Sequence, residues 1–337
     1  MKSSVTQIVA GIKRCMVQRL VPMIHGSPGI GKSDIVKQLA KAGNLHLIDW
    51  RGSSADPVDL SGFPVLDGSK ASYLPFDTFP IAGDKKPKGT NGWLLFMDEL
   101  NSAPISVQKA CYKLILDRMV GNHDLHPEVY IVAAGNLTTD GALISNLPTA
   151  LQSRMVHFEM GVCNDSWNQW ATEAGIDCRI ISFIGFKPNL LHKFSPKHND
   201  YTFACPRTWE MASKLIKGRE LDLTDKALLS GVLSQGVAIE FIAYTKVFES
   251  LPHIDKIIAD PSGTSIPAEP SARFAVGSHV AEHMTVDNAT VLMEYVRRLP
   301  LENQTITFRI AIGKNKKLLL NDAIEAWSTQ YATRKVA

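Results

Sequence analysis

The run Gly26-Ser27-Pro28-Gly29-Ile30-Gly31-Lys32-Ser33 matches GxxxxGK[ST] in full, and nothing else in the chain restricts its fold as tightly. Glycines let the backbone curl until successive N–H groups converge on one point. The helix that follows turns its positive N-terminal end toward the same point, so the pattern makes an anion cradle. That reading needs an apolar strand before the motif and a helix after it. Leu20-Val21-Pro22-Met23-Ile24-His25 supplies a short buried strand, and residues 32–42 read as the helix. In such a unit Lys32 neutralises the β- and γ-phosphates of a nucleotide, and the Ser33 hydroxyl ligates Mg²⁺.

A second motif completes the chemistry. Trp93 to Met97 is a continuous apolar run, as expected of a strand in a parallel sheet covered on both faces, and it ends in Asp98-Glu99. Ligands of parallel α/β sheets gather at the carboxyl ends of strands, which is where these two acids fall. Asp98 is expected to hold Mg²⁺ through its water shell, and Glu99 to polarise an attacking water as general base. A carboxylate in that position favours hydrolysis over transfer to a second substrate.

The rest of the chain orders itself around these motifs. Residues 4–19 read as an amphipathic helix and 45–50 as a second strand. Residues 52–92 are rich in Gly, Pro, Asp and Ser, too long for a plain connection and expected to carry an insertion. A helix over 104–118, a hairpin at Gly121-Asn122, a strand over 129–134, a short helix over 146–153 and a closing strand over 156–160 follow. Beyond 161 the pattern turns helical, at 165–174, 177–184, 206–217 and 224–248. A Pro- and Ser-rich stretch at 259–273 reads as a linker or exposed loop, and 274–334 is mainly helical. The fold class predicted is α/β: a P-loop parallel-sheet domain over 1–160 with an insertion at about 52–92, then a helical lid over 161–258. A mainly helical extension of unassigned role follows over 259–337.

Composition narrows the partners. Hydrophobic residues make up 45% and charged residues 20%, with a net charge of +3, so the bulk charge supplies no nucleic-acid or membrane surface; a local basic groove stays open. The five cysteines, Cys15, Cys111, Cys163, Cys178 and Cys205, form no CxxC pair and are odd in number, which suits a reducing cytosol. No run approaches about 18 apolar residues, and the N-terminus lacks a signal-peptide core, so a cytoplasmic location is expected. His279 and His283 share helical spacing without a third ligand and read as surface residues. Lys85, Lys86 and Lys88 read as a solvated loop. Tyr73 and Phe76 are apolar residues in a polar insertion, suited either to gripping a partner or to packing on the insertion itself.

Taken together, the glycine-rich loop, the Asp-Glu strand end and the polar residue that ends the next strand resemble the AAA+ ATPases. Asn136, at the end of Val129 to Gly135, stands where that family's first sensor stands, where an amide orients the lytic water. Leu147-Pro148-Thr149-Ala150-Leu151-Gln152-Ser153-Arg154-Met155 resembles the arginine-finger segment, with Arg154 as the finger. Cys205-Pro206-Arg207-Thr208-Trp209-Glu210 resembles the second sensor, with Arg207 reaching the γ-phosphate from the lid. Within AAA+, Asp49-Trp50-Arg51, Asp56 to Gly62 and Asp98-Glu99-Leu100-Asn101-Ser102-Ala103-Pro104 resemble the MoxR branch, in a compact form like bacterial or bacteriophage members. The resemblance covers about residues 4–250 and is strongest over 23–160. Ser153 departs from it, standing where many relatives have Asp, and so does Leu116-Asp117-Arg118. It implies ATP and Mg²⁺ as cofactors and a homo-oligomer in the form of a hexameric ring. It also implies a remodelled protein partner, such as a von Willebrand factor A-domain protein, and a host-cytoplasmic location if the gene is carried by a phage. Two other readings stay open: a nucleic-acid motor or loader, and a nucleotide-dependent scaffold with low basal turnover.

Overall fold

In the computed structural model, which describes residues 2–141, 144 and 146–334, ten strands and fifteen α-helices are assigned. The first unit, Met1–Val162 with Ser195–Lys197, is built on a parallel sheet. Its strands are β1 (Lys2–Ser3), β2 (Val21–His25), β3 (His46–Arg51), β6 (Trp93–Asp98), β9 (Val129–Gly135) and β10 (Met155–Met160). Between them lie two antiparallel hairpins, β4 (Phe63–Asp67) with β5 (Lys70–Leu74), and β7 (Met119–Val120) with β8 (His123–Asp124). The sheet order is β1-β10-β2-β9-β6-β3, every pairing parallel. The carboxyl ends of β2, β9 and β6 therefore share one edge. The tip of β9 stands between the strand that feeds the glycine-rich loop and the strand that ends in Asp98.

Alternation along the central strands β2, β6 and β9 sorts their side chains onto two covered faces, which is why these three are almost wholly apolar up to their tips. One face carries Ile24, Leu94, Phe96, Val132 and Ala134. It packs against Ile8 and Ile12 of helix α1 (Val5–Val17) and Ile35, Val36 and Leu39 of helix α2 (Lys32–Ala42). The other face carries Met23, Leu95, Met97, Ile131 and Ala133, under Val107, Cys111 and Leu114 of α4 (Ile105–Leu116). Helix α1 begins where Ser4 and Gln7 cap one another: the Ser4 hydroxyl accepts from the Gln7 N–H at 3.2 Å, and the Ser4 N–H donates to the Gln7 side chain at 2.9 Å.

The insertion expected at 52–92 holds a short helix, α3 (Pro57–Ser61), and the β4–β5 hairpin. Its base is anchored by Phe79, fully buried against Trp50. Tyr73 and Phe76 are 45% and 40% exposed, so neither is the insertion's core. Lys86 pairs with Glu128 at 2.8 Å rather than standing free in the loop. The short helix expected over 146–153 is confined to α5 (Thr149–Gln152), which begins after Pro148.

The second unit, Cys163–Phe194 with His198–Ala337, is helical. Its helices are α6 (Asn164–Glu173), α7 (Cys178–Phe186), α8 (Pro206–Ile216), α9 (Asp225–Leu233), α10 (Gln235–Thr245), α11 (Ile254–Ala259), α12 (Pro270–His283), α13 (Ala289–Arg297), α14 (Leu301–Lys314) and α15 (Asp322–Arg334). The helix expected over 224–248 is broken at Ser234, whose φ of 78° interrupts the hydrogen-bond ladder between α9 and α10. Phe183, Trp209 and Phe241 share one core with Val276, Tyr295 and Phe308, so helices on both sides of residue 259 contribute to it. The α/β class with a helical region after it agrees with the sequence expectation. Among the described residues, no helix is long and apolar enough to cross a membrane, and no group of three side chains is placed to hold a metal ion.

Candidate functional site

The glycine-rich loop leaves β2 at His25 and enters α2 at Lys32. Gly31 caps that helix with φ of 99°, a left-handed conformation that strains any residue with a Cβ. The turn brings Lys32, only 8% exposed, back over its own loop. Its ammonium donates to the Gly26 carbonyl at 2.5 Å, the Ser27 carbonyl at 3.0 Å and the Asn136 side-chain oxygen at 3.0 Å. One residue on, the Ser33 hydroxyl donates to Asp98 Oδ2 at 2.8 Å, while Asp98 Oδ1 accepts from the Glu99 N–H at 2.9 Å. Four elements thus converge at the carboxyl edge of the sheet, although the residues lie far apart in the chain. The donor set suits a phosphorylated ligand and a hard cation: loop N–H groups and an ammonium for phosphate oxygens, a hydroxyl and a carboxylate for a divalent metal.

Glu99 follows Asp98 with φ of 55°, ψ of 31°, a conformation uncommon for a residue with a side chain and frequent at working sites. It turns the chain sharply at the strand end. The Glu99 carboxylate accepts from the hydroxyl of Ser53, in the 3₁₀ turn Gly52–Ser54. The glutamate is thereby tethered to the segment after β3, away from Lys32.

Asn136 is held more firmly than a turn residue needs. The Asn101 side chain reads both sides of its backbone: Asn101 Oδ1 accepts from the Asn136 N–H at 3.2 Å, and Asn101 Nδ2 donates to the Asn136 carbonyl at 2.8 Å. Asn101 is 3% exposed. The residue before Asn136 has to be glycine for this, because a Cβ on Gly135 would stand 2.2 Å from Asn101 Oδ1. Asp140 adds a further tie, accepting from the Ser27 hydroxyl and the Leu137 N–H, both at 3.3 Å.

Of the residues singled out from the sequence, Gly26, Ser27, Pro28, Gly29, Ile30, Gly31, Lys32, Ser33, Asp98, Glu99 and Asn136 fall on this one edge. Arg154 does not join them. It is exposed after α5, and its guanidinium donates to the Ala150 carbonyl at 2.9 Å. Arg207 lies in the helical unit, exposed in the first turn of α8. Sequence reasoning missed Ser53, Asn101 and Asp140 as members of the site. Asn101 lay inside the Asp-Glu-Leu-Asn run, but its partner is 35 residues away, and no local pattern encodes that pairing.

No family model matches the chain, and no curated protein does. Solved structures of similar outline include RuvB of Thermotoga maritima, the Holliday junction branch migration motor. It shows 13% identity and a TM-score of 0.36, with 75% of this chain and 76% of that chain covered. A Cytophaga hutchinsonii protein described as an ATPase shows 14% identity and a TM-score of 0.34, with 91% and 83% covered. NtrX of Brucella abortus shows 13% identity and a TM-score of 0.37, with 93% and 68% covered. Likenesses this distant carry no functional argument, which rests on the geometry of the chain itself.

Proposed function

We propose that this chain is a Mg²⁺-dependent ATPase of the AAA+ type, in a compact MoxR-like form, that assembles into a hexameric ring and remodels or activates a partner protein. The observation that carries the catalytic part is the meeting of Lys32 with Asn136 and of Ser33 with Asp98 on one sheet edge. Those contacts join three segments whose residue types suit phosphate, metal and water. In this reading the loop N–H groups and Lys32 bind the β- and γ-phosphates. Ser33 and Asp98 hold Mg²⁺, which offsets charge on the phosphate oxygens. Glu99 takes the proton of the attacking water, and Asn136 orients that water.

The Ser53 hydroxyl has a part in this scheme. The hydroxyl holds the Glu99 carboxylate at the turn after β3, and in this reading Glu99 leaves that partner to meet its water. The functional division proposed is a nucleotide-binding segment over 1–160, a lid over 161–258 that brings Arg207 to the γ-phosphate, and an extension over 259–337 that packs into the lid's core. A von Willebrand factor A-domain protein is the partner this reading favours, and a cytoplasmic location goes with it.

The deciding experiment is Glu99→Gln. The variant keeps the size and the hydrogen bond to Ser53 but has no proton acceptor. It should retain the thermal stabilisation by Mg-ATP and lose turnover by roughly 10²-fold or more. Wild-type turnover would remove Glu99 from the role of base.

A second test addresses Asn136 indirectly. Asn101→Ala removes the clamp, and Gly135→Ala pushes it aside with a methyl group that meets the Asn101 side chain and Met23 Cε. Both should bind ATP nearly as tightly as wild type and turn it over about 10- to 10²-fold more slowly, the cost of misplacing a reacting group by about 1 Å. Unchanged kcat in both variants would mean that the clamp serves only the fold.

A further inference from the structure

His25 is the last residue of β2 before the glycine-rich loop, and His157 lies on the adjacent strand β10, in register with Met23 two residues before His25. Their ring planes are 24° apart and their centroids 5.1 Å apart, and His25 Nε2 stands 2.8 Å from His157 Nδ1, so the two imidazoles meet end to end through their nitrogens. His157 Nε2 stands 2.8 Å from the carbonyl of Gln152, the last residue of α5 and two before Arg154. The two imidazoles, with Asn101, Thr138, Leu147 and Thr149, line an open cleft of about 550 Å³. This pair takes no part in the hydrolytic scheme above.

Hydrogen bonding assigns the protons. A carbonyl only accepts, so His157 carries its hydrogen on Nε2. Its Nδ1 is then an acceptor, and His25 donates from Nε2. The chain of bonds runs from the end of the P-loop strand through two rings to the carbonyl at the end of α5. We propose that His157, braced by His25, is a positioning residue for Arg154: the imidazole pair fixes the arginine turn to the P-loop strand and lets go when it is doubly protonated. This deepens the reading of Arg154 as a finger acting on a neighbouring subunit's nucleotide, and it rests on that reading.

One added proton leaves the chain intact. His157 then donates from Nδ1, and His25 accepts at Nε2 with its own hydrogen moved to Nδ1. A second proton sets two N–H groups and two positive charges face to face, and the contact opens. The charged neighbours of His25 are His157 and Glu159 on β10 and Lys32 at the start of α2. Burial holds the His25 imidazole below its ordinary value; His157 and Lys32 push the same way and Glu159 opposes them. A depressed histidine is protonated more readily in the unfolded chain. Its contribution to stability is therefore present above about pH 6.5 and is lost as pH falls from there toward the folded-state value. The coupling fails on acidification, not on alkalinisation.

The test uses two subunit types that complement one another if fingers act across an interface. Arg154→Ala subunits keep an intact pocket, and Lys32→Ala subunits supply a finger. His157→Phe keeps an aromatic ring of similar bulk and removes both nitrogens. Placed on the finger-supplying Lys32→Ala chain, it should cut the rescued ATPase by about 10- to 10²-fold. Placed on the Arg154→Ala chain, it should cut rescue far less, which also shows that the variant folds. His157→Gln offers a donor to the Gln152 carbonyl and an acceptor to His25 in a side chain that does not titrate. On the finger-supplying chain it should restore most of the rescue, and the ratio of its activity to that of His157 chains should rise at the acid end of the pH profile, below the ordinary histidine value of about 6.5. Equal losses from both placements of His157→Phe, or a ratio that does not change with pH, overturn the inference while leaving the shared-site reading in place. Absence of any rescue between the two parent variants overturns both.

Discussion

Arg154→Ala should bind Mg-ATP as the wild type does and hydrolyse it roughly 10³-fold more slowly. Negative charge spreads over the γ-phosphoryl oxygens in the transition state, and an arginine brought to meet it is worth about 10³- to 10⁵-fold in enzymes of this chemistry. Lys32 is already held over its own loop by Gly26, Ser27 and Asn136. Arg154 points elsewhere: it is exposed and bonded to the Ala150 carbonyl of its own turn. In the proposed mechanism a side chain so placed serves a neighbouring subunit rather than its own. A contact of that kind is head to tail, and it closes into a ring when the rotation allows. Two measurements follow. Specific activity should rise with protein concentration as subunits associate. Mixing Arg154→Ala with Lys32→Ala should restore activity that neither has alone, because one supplies the finger and the other the pocket. Normal hydrolysis by Arg154→Ala, or full activity in a strictly monomeric wild type, would falsify the shared site and leave the P-loop reading standing.

Lys32→Ala should lose tight ATP binding altogether. A ligand that binds only the folded state stabilises it by about 2.7 kcal/mol at roughly a hundredfold excess over Kd. Wild type should therefore show a clear rise in Tm with Mg-ATP, and the variant none. The substitution does more than delete a countercharge. It leaves the Gly26 and Ser27 carbonyls and the Asn136 side chain without their shared donor, so the loop proposed to cradle phosphate loses its brace. Lys32→Arg separates the two effects. It keeps the charge, yet a planar fork does not fit three oxygens arranged for a compact ammonium. Weak but measurable binding in Lys32→Arg, with none in Lys32→Ala, is the expected pattern. An undiminished shift in Lys32→Ala would remove the phosphate site from residues 26–33.

Residue order along the chain was enough to locate the glycine-rich loop, the buried strand ending in Asp98-Glu99 and the alternation that makes an α/β sheet. These signals are local. A glycine turn, an apolar run and a helix cap are each decided by residues within a few positions, so they are legible without knowing what lies opposite. The helix expected over 224–248 failed for the same reason in reverse: a positive φ at a serine is set by how α9 and α10 must pack, not by the propensity of Ser234.

The sheet order was decided only by the tertiary structure. Placing β9 between β2 and β6 makes the end of β9 the shared neighbour of Lys32 and Asp98, and so gives Asn136 its place. The Asn101 clamp, the Ser53 tether on Glu99 and the His25–His157 chain belong to the same class. Each pairs residues 35 to 132 positions apart. A side-chain hydrogen bond depends on where two backbones are brought within about 3 Å. That distance is set by the packed core beneath them, which no single stretch of sequence contains.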